Sequence, residues 1–152
     1  MTEIRITIQV PAVPVAQPRQ RHAIRGKGKR QFVANYTPSK HAVNDFKATV
    51  RLAAREVYSG PPLDGALKVD CFFLMPRPKK MMWKRRPMPR VPYIIKRNDR
   101  DNLDKAVLDA LTGTLWIDDG QVWDGRITKM YAAGDEQPHV EITVIQLETD
   151  DA

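Results

Sequence analysis

"LKVDCFFLM", residues 67–75, sets Leu67, Val69, Cys71, Phe73 and Met75 on one side of an extended chain and Lys68, Asp70, Phe72 and Leu74 on the other. A period of two marks a strand, and Phe72 and Leu74 make its second face partly apolar, as expected for a central strand covered on both sides. Upstream, Val43, Phe46, Val50, Ala53, Ala54 and Val57 recur at helical spacing. Thr37 and Pro38 read as an N-cap with proline at the first helical position, and Gly60, Pro61 and Pro62 end the pattern. Downstream, Leu103, Ala106, Val107, Ala110 and Leu111 give a second helix its apolar stripe, and Gly113 is a natural stop. Ile4, Ile6, Ile8 and Val10 near the start, and Val140, Ile142 and Val144 near the end, alternate as half-buried strands do. The expected class is α+β: one domain over residues 1–152, a small mixed sheet packed against two main helices, with an acidic tail at 148–152 that frays.

The 152 residues suit one core, and 42% apolar with 28% charged content excludes wholesale disorder and a coiled coil. No stretch has the apolar length of a membrane span, and "MTEIRITIQV" alternates in polarity instead of forming a signal-peptide block, so a cytoplasmic protein is expected. The lone Cys71 has no partner for a disulfide or a CxxC site and reads as a small apolar filler. His22, His41 and His139 are scattered without zinc-ligand spacing.

A formal charge of +7 is concentrated in two acid-free segments. Residues 19–30, "RQRHAIRGKGKR", hold six Lys or Arg, and residues 76–98 hold nine, so fifteen of the 25 cations lie there. Such clustering is the footprint of a phosphate backbone, whose released counterions make binding salt-sensitive. Arg19, Arg21, Lys27, Lys29 and Arg30 in the first segment, and Lys84, Arg85, Arg86 and Arg97 in the second, are the candidate DNA contacts. Gly26 and Gly28 mark a loop tip, "RQFVANY" reads as a short returning strand, and five prolines between 76 and 92 make the second segment a long irregular loop. Trp83 within it is the aromatic best placed to stack on DNA bases. Tyr93 is as readily core, and Trp116 and Trp123 read as core.

Directly behind this basic loop comes "RNDRDNLDKAVLDALTG", residues 97–113. Asp101 or Asn102 can cap the helix, but a cap needs one carboxylate. If the approach is extended, Asp99 and Asp101 share a face, Lys105 follows one turn beyond Asp101, and Asp104 points to solvent. Adjacent carboxylates repel unless a cation lies between them. Mg2+, which keeps waters or phosphate oxygens in its shell, suits such a site. Asp118 and Asp119 in "LWIDDGQV" could complete it, although "DDG" also suits a turn. Lys129, on the strand that follows, could reach the same site or lie on the surface.

Together, "DRDNLDKAVLDALTG" and "LWIDDGQV" resemble the signature of the RusA family of Holliday junction resolvases, and "PRQR" at 18–21 and the terminal strands are similar to that family too. The resemblance implies that Asp99, Asp101 and Asp119 bind Mg2+, with Asp118 adjacent and Mn2+ a substitute, and that Lys105 is essential for cleavage. It implies a homodimer that nicks four-way junctions symmetrically. Arg100 stands where the family more often has an aliphatic residue, and Asn98 where Pro is common. The competing readings are a non-catalytic DNA-binding protein whose acids serve as caps and turns, and a nuclease of the same chemistry acting on flaps or forks.

Overall fold

In chain order the protein forms β1 (Glu3–Val10), β2 (Arg21–Arg25), β3 (Phe32–Tyr36), α1 (Ala42–Val57), β4 (Leu67–Met75), β5 (Val91–Pro92), α2 (Arg100–Leu111), β6 (Val122–Asp124), β7 (Ile127–Tyr131) and β8 (His139–Leu147). The computed structural model describes residues 3–18, 21–36, 41–83 and 88–147; the expected tail at 148–152 lies outside them. β4 is central: the main sheet runs β1-β8-β4-β7-β5, with β6 also pairing β4, while β2 and β3 form a separate two-stranded sheet. β4 is antiparallel to β8 and parallel to β7 and β6. A parallel pair needs a crossover, and α2 supplies it.

The alternations work as written. Ile6, Ile8 and Val10 of β1, Val140, Ile142 and Val144 of β8, and Leu67, Val69, Cys71, Phe73 and Met75 of β4 enter one core with Val43, Phe46, Val50 and the apolar stripe of α2. Both helices lie over this face, α1 against β1 and α2. The second face of β4 is covered only towards its end. Leu74 is fully buried and the Arg90 guanidinium lies 5.2 Å over the Phe72 ring, whereas Lys68 and Asp70 stay half-exposed. Between β6 and β7 the chain passes so close to β4 that a Cβ on Gly125 would collide with the Val69 carbonyl oxygen, so only glycine fits there.

Three expectations need correction. The first basic segment is not a loop: Arg21–Arg25 pairs with Phe32–Tyr36 as a hairpin turning through Gly26 and Gly28, both at positive φ. Its strands follow from turn and pairing, not burial, so no apolar alternation announced them. α1 starts at Ala42, where the His41 Nδ1 accepts from the Val43 amide at 3.1 Å; the expected cap at Thr37 and Pro38 lies outside the described residues. Trp123, read as core, is 65% exposed on the short β6, while Trp116 is fully buried and donates through Nε1 to Thr112 Oγ1 at 3.1 Å.

The second basic segment is irregular as expected, apart from short 3-10 turns at Lys79–Met81 and Lys96–Asn98 and the two-residue β5. Pro92 is tolerated there because β5 is an edge strand. Among the described residues no helix is long and apolar enough to cross a membrane.

Candidate active site

The second basic segment enters α2 through a clasp built on β7. Lys129, paired across the sheet with Phe73, donates from Nζ to the carbonyl oxygens of Asn98 at 2.9 Å and Ile95 at 3.4 Å. The same ammonium lies 5.2 Å from the centre of the Tyr93 ring, and Asn98 Nδ2 donates to Tyr93 Oη at 2.9 Å. With two protons on carbonyls and the third side against an aromatic face, Lys129 is committed to holding the turn at Lys96–Asn98. Nothing in the sequence separated this role from that of a surface lysine.

The clasp delivers the chain to Asp99, which is the N-cap. Its Oδ1 accepts from the Asn102 amide at 2.8 Å and its Oδ2 from Asn102 Nδ2 at 3.2 Å. The cap is therefore Asp99, not Asp101 or Asn102. Asp101 is already helical, so the expected shared strand face does not form; Asp99 caps α2 and Asp101 lies in its first turn. The partial positive charge of the helix end favours both carboxylates. Asp101 and Lys105, one turn apart, are exposed on the side away from the buried stripe.

Asp104 does not face solvent. It is half-buried and close to the Cys71 thiol, because the covered face of α2 extends sideways over the β6 and β7 edge, where Leu108 is also half-buried. Burial pushes its carboxyl above the usual range; the Cys71 hydrogen bond opposes this, Asp101 adds to it and Arg100 counters it. Burial likewise pushes the Cys71 thiol well up, with Asp104 and Asp70 adding to the effect.

Asp118 and Asp119 lie at the other end of the helix. Gln121 Oε1 accepts from the amides of Ile117 and Asp118, each at 2.9 Å, and its Nε2 donates to the carbonyls of Leu63 and Gly65. This ties the acidic turn to the chain just ahead of β4, whereas Asn98 sits beside Lys129 near the far end of that strand. The twelve residues of α2 span about 18 Å, with Asp99 at the start and the acidic turn in the chain that follows the end. One chain thus brings together Asp99, Asp101 and Lys105 but not Asp118 or Asp119, and the described residues contain no group of three metal-capable side chains.

The chain matches the family described as Endodeoxyribonuclease RusA over residues 11–145, a span that takes in the hairpin, both helices and both acid pairs. It belongs to the RusA family of endodeoxyribonucleases. It is also similar to the uncharacterized protein YqaN of Bacillus subtilis (strain 168), at 32% identity over 143 residues covering 91% of this chain and 94% of that one. RusA-family enzymes are nucleases that act on branched DNA junctions.

In this RusA-family chain, Lys27, Lys29 and Arg30 stand exposed at the hairpin tip, and Arg97 is exposed just ahead of Asp99. Arg21 lies in β2, while Arg19, Lys84, Arg85 and Arg86 fall outside the described residues. Trp83 is half-buried with the Arg77 guanidinium 4.9 Å over its ring, so that face is already occupied. Two cations of the second segment serve the fold. Arg77 donates to the carbonyls of Met81, Pro89 and Ala132, and Arg90 pairs with Glu136.

Proposed function

We propose that this protein is a Mg2+-dependent endonuclease that resolves four-way DNA junctions by paired symmetric nicks, working as a homodimer in DNA recombination and repair. The observation that carries the reading is the position of the two acid pairs at opposite ends of one helix. In a twofold dimer whose α2 helices run antiparallel, Asp118 and Asp119 of one copy meet Asp99 and Asp101 of the other, giving two equivalent sites for two equivalent strands. Ile117 and Trp123, 61% and 65% exposed around the acidic turn, are apolar surface that a second copy would cover.

The donor set fits the ion: carboxylate oxygens, with room for waters and a phosphodiester oxygen. Mg2+ bound there would activate water and neutralise charge on the phosphoryl oxygens. Asp99 and Asp101 hold the ion on one chain, with Asp119, and Asp118 beside it, on the other. Lys105 stabilises the charge that builds on the phosphorus centre. Arg21, Lys27, Lys29 and Arg30 of the hairpin, with Arg19 before it, hold the junction arms, as do Lys84, Arg85, Arg86 and Arg97, and Trp83 borders that surface.

Asp101→Asn should abolish cutting of a labelled junction while affinity holds or rises, because a repelling charge is gone. Asp119→Asn should do the same. Mixed after subunit exchange, the two inactive variants should regain nicking of one strand, to about a quarter of wild-type sites in a statistical mixture, since one site of each mixed dimer is intact. No recovery would place each site within one chain. Wild-type protein that leaves the junction uncut with Mg2+ over a broad protein range would leave the non-catalytic DNA-binding reading, and preferential cutting of flaps or forks would move the substrate.

A further inference from the structure

A cleft of about 530 Å³ opens at the carboxyl ends of β4 and β7, one residue from Asp99. Its position is where open sheets with parallel strands commonly take ligands, and its volume is that of a small-ligand pocket. Val13, Pro14, Met75, Pro76, Pro78 and Tyr131 give it an apolar lining, with the Tyr131 ring packed 4.8 Å from that of Tyr93. Arg77, Lys80, Arg97 and Asn98 also line it, and among the described residues no acid does.

The two halves of this surface call for different chemistry. Lys80 and Arg97, both exposed, suit phosphate oxygens, but a duplex backbone needs cations alone and gains nothing from a recessed apolar floor. A flat, weakly polar object attached to a phosphate satisfies both, and a nucleobase out of its stack is such an object. Unstacking is costly in a duplex and least so where pairing is already lost, as at a branch point. Asn98 lines the cleft and Asp99 is the next residue, so a strand with one nucleotide seated here runs on past the start of α2, where Asp99 and Asp101 lie.

We infer that this cleft seats one unstacked nucleotide of the strand to be cut, with Arg97 and Lys80 on its phosphate and its base against Tyr131 and the prolines. The inference rests on the nuclease reading above and adds a subsite to it. The test uses the full-length protein and four-way junctions carrying 2-aminopurine at each position flanking the mapped cut, with Ca2+ in place of Mg2+ to hold the complex uncut.

Wild-type protein should raise the fluorescence severalfold at one flanking position. Val13→Trp, at a residue 51% exposed on the cleft wall, should abolish the rise and slow cutting at least tenfold while plain-duplex affinity is unchanged. Lys80→Ala with Arg97→Ala, at exposed side chains, is the second variant and should halve the rise or more, so the test stands even if the Trp variant misfolds. Wild-type protein that cuts but gives no rise at any position overturns the inference, as does a cleft variant that keeps both the rise and the cutting rate. Wild-type protein that does not cut at all fails the nuclease reading instead.

Discussion

Replacing Lys129 with Met keeps the length and apolar stem of the side chain and removes the ammonium that clasps the turn ahead of α2. The bond to Asn98 is partly buried and 2.9 Å long, that to Ile95 is exposed and 3.4 Å long, and the Tyr93 ring lies at 5.2 Å. A hydrogen bond from a charged donor is worth about 1.5 kcal/mol at the low end that half-exposure selects. The aromatic contact adds about 0.5 kcal/mol, and the long bond little. A total of about 2 kcal/mol is lost from the segment that positions Asp99. If that loss falls on the turn, cutting slows about thirtyfold, since each ~1.36 kcal/mol is a factor of ten. Single-turnover cleavage, junction titration at several salt concentrations and urea unfolding separate the possibilities. The expected result is slower cutting, affinity within about threefold, an unchanged salt slope, and partial rescue by Lys129→Arg, whose guanidinium can still donate to the same carbonyls. A salt slope reduced by about one would instead make Lys129 a phosphate contact, and wild-type cutting by Lys129→Met would refute the clasp.

Further outcomes follow from other parts of the molecule. Changing Lys27, Lys29 and Arg30 together to Ala should weaken junction binding and lower the slope of log affinity against log salt by up to about 3, as three phosphate contacts are lost, without moving the cut position. Cys71, buried and with its thiol pushed up, should react with a thiol reagent at pH 8 only as fast as the protein unfolds, and stoichiometrically in denaturant. Hydrogen bonding from Arg90 holds the Glu136 carboxyl down to about 2 from an ordinary value of 4.5. A lowered folded value adds stability above the unfolded one that is lost as the pH falls from about 4.5 through about 2. For so open a pair the amount is under about 1 kcal/mol, and Glu136→Gln should flatten that part of an acid-unfolding curve.

What the sequence made legible follows the physics of burial. β1, β4, β8 and α2 were readable because each buries a periodic set of apolar side chains, and Gly113 marks the end of α2 with a φ of +84°. The hairpin was half hidden. Ile24, Phe32 and Val33 are 72%, 59% and 66% exposed, so pairing alone shapes it and no core face could show in the pattern. The cap of α1 escaped because a histidine ring nitrogen fills a place that Ser, Thr, Asp and Asn usually take. At the site, residue types were legible and distances were not. That Lys105 follows Asp101 by one helix turn can be read from the sequence, but whether Asp119 lies near them depends on β6 returning at the start of β4 instead of its end. Lys129 was seen and its role was not, because that role rests on two carbonyls more than thirty residues away in sequence.

The placement of acids behind the most basic loop now has an electrostatic account. In the proposed dimer Asp99 and Asp101, with Asp118 and Asp119 of the second copy, carry four negative charges, against which stand Arg97 ahead of Asp99, Arg100 between the two acids, Lys105 one turn on and about half a positive charge at the helix end. On the proposed reading the acids are thus largely offset by their own surroundings, and the repulsion of a phosphate that remains is small and screened over about 8 Å. Under the proposed function, attraction and chemistry then fall to different side chains. The consequence is that junction affinity should change little when Mg2+ is withheld, while cutting depends on it fully. Were the ion needed to bring DNA and carboxylates together at all, affinity and cutting would fall in step with its removal.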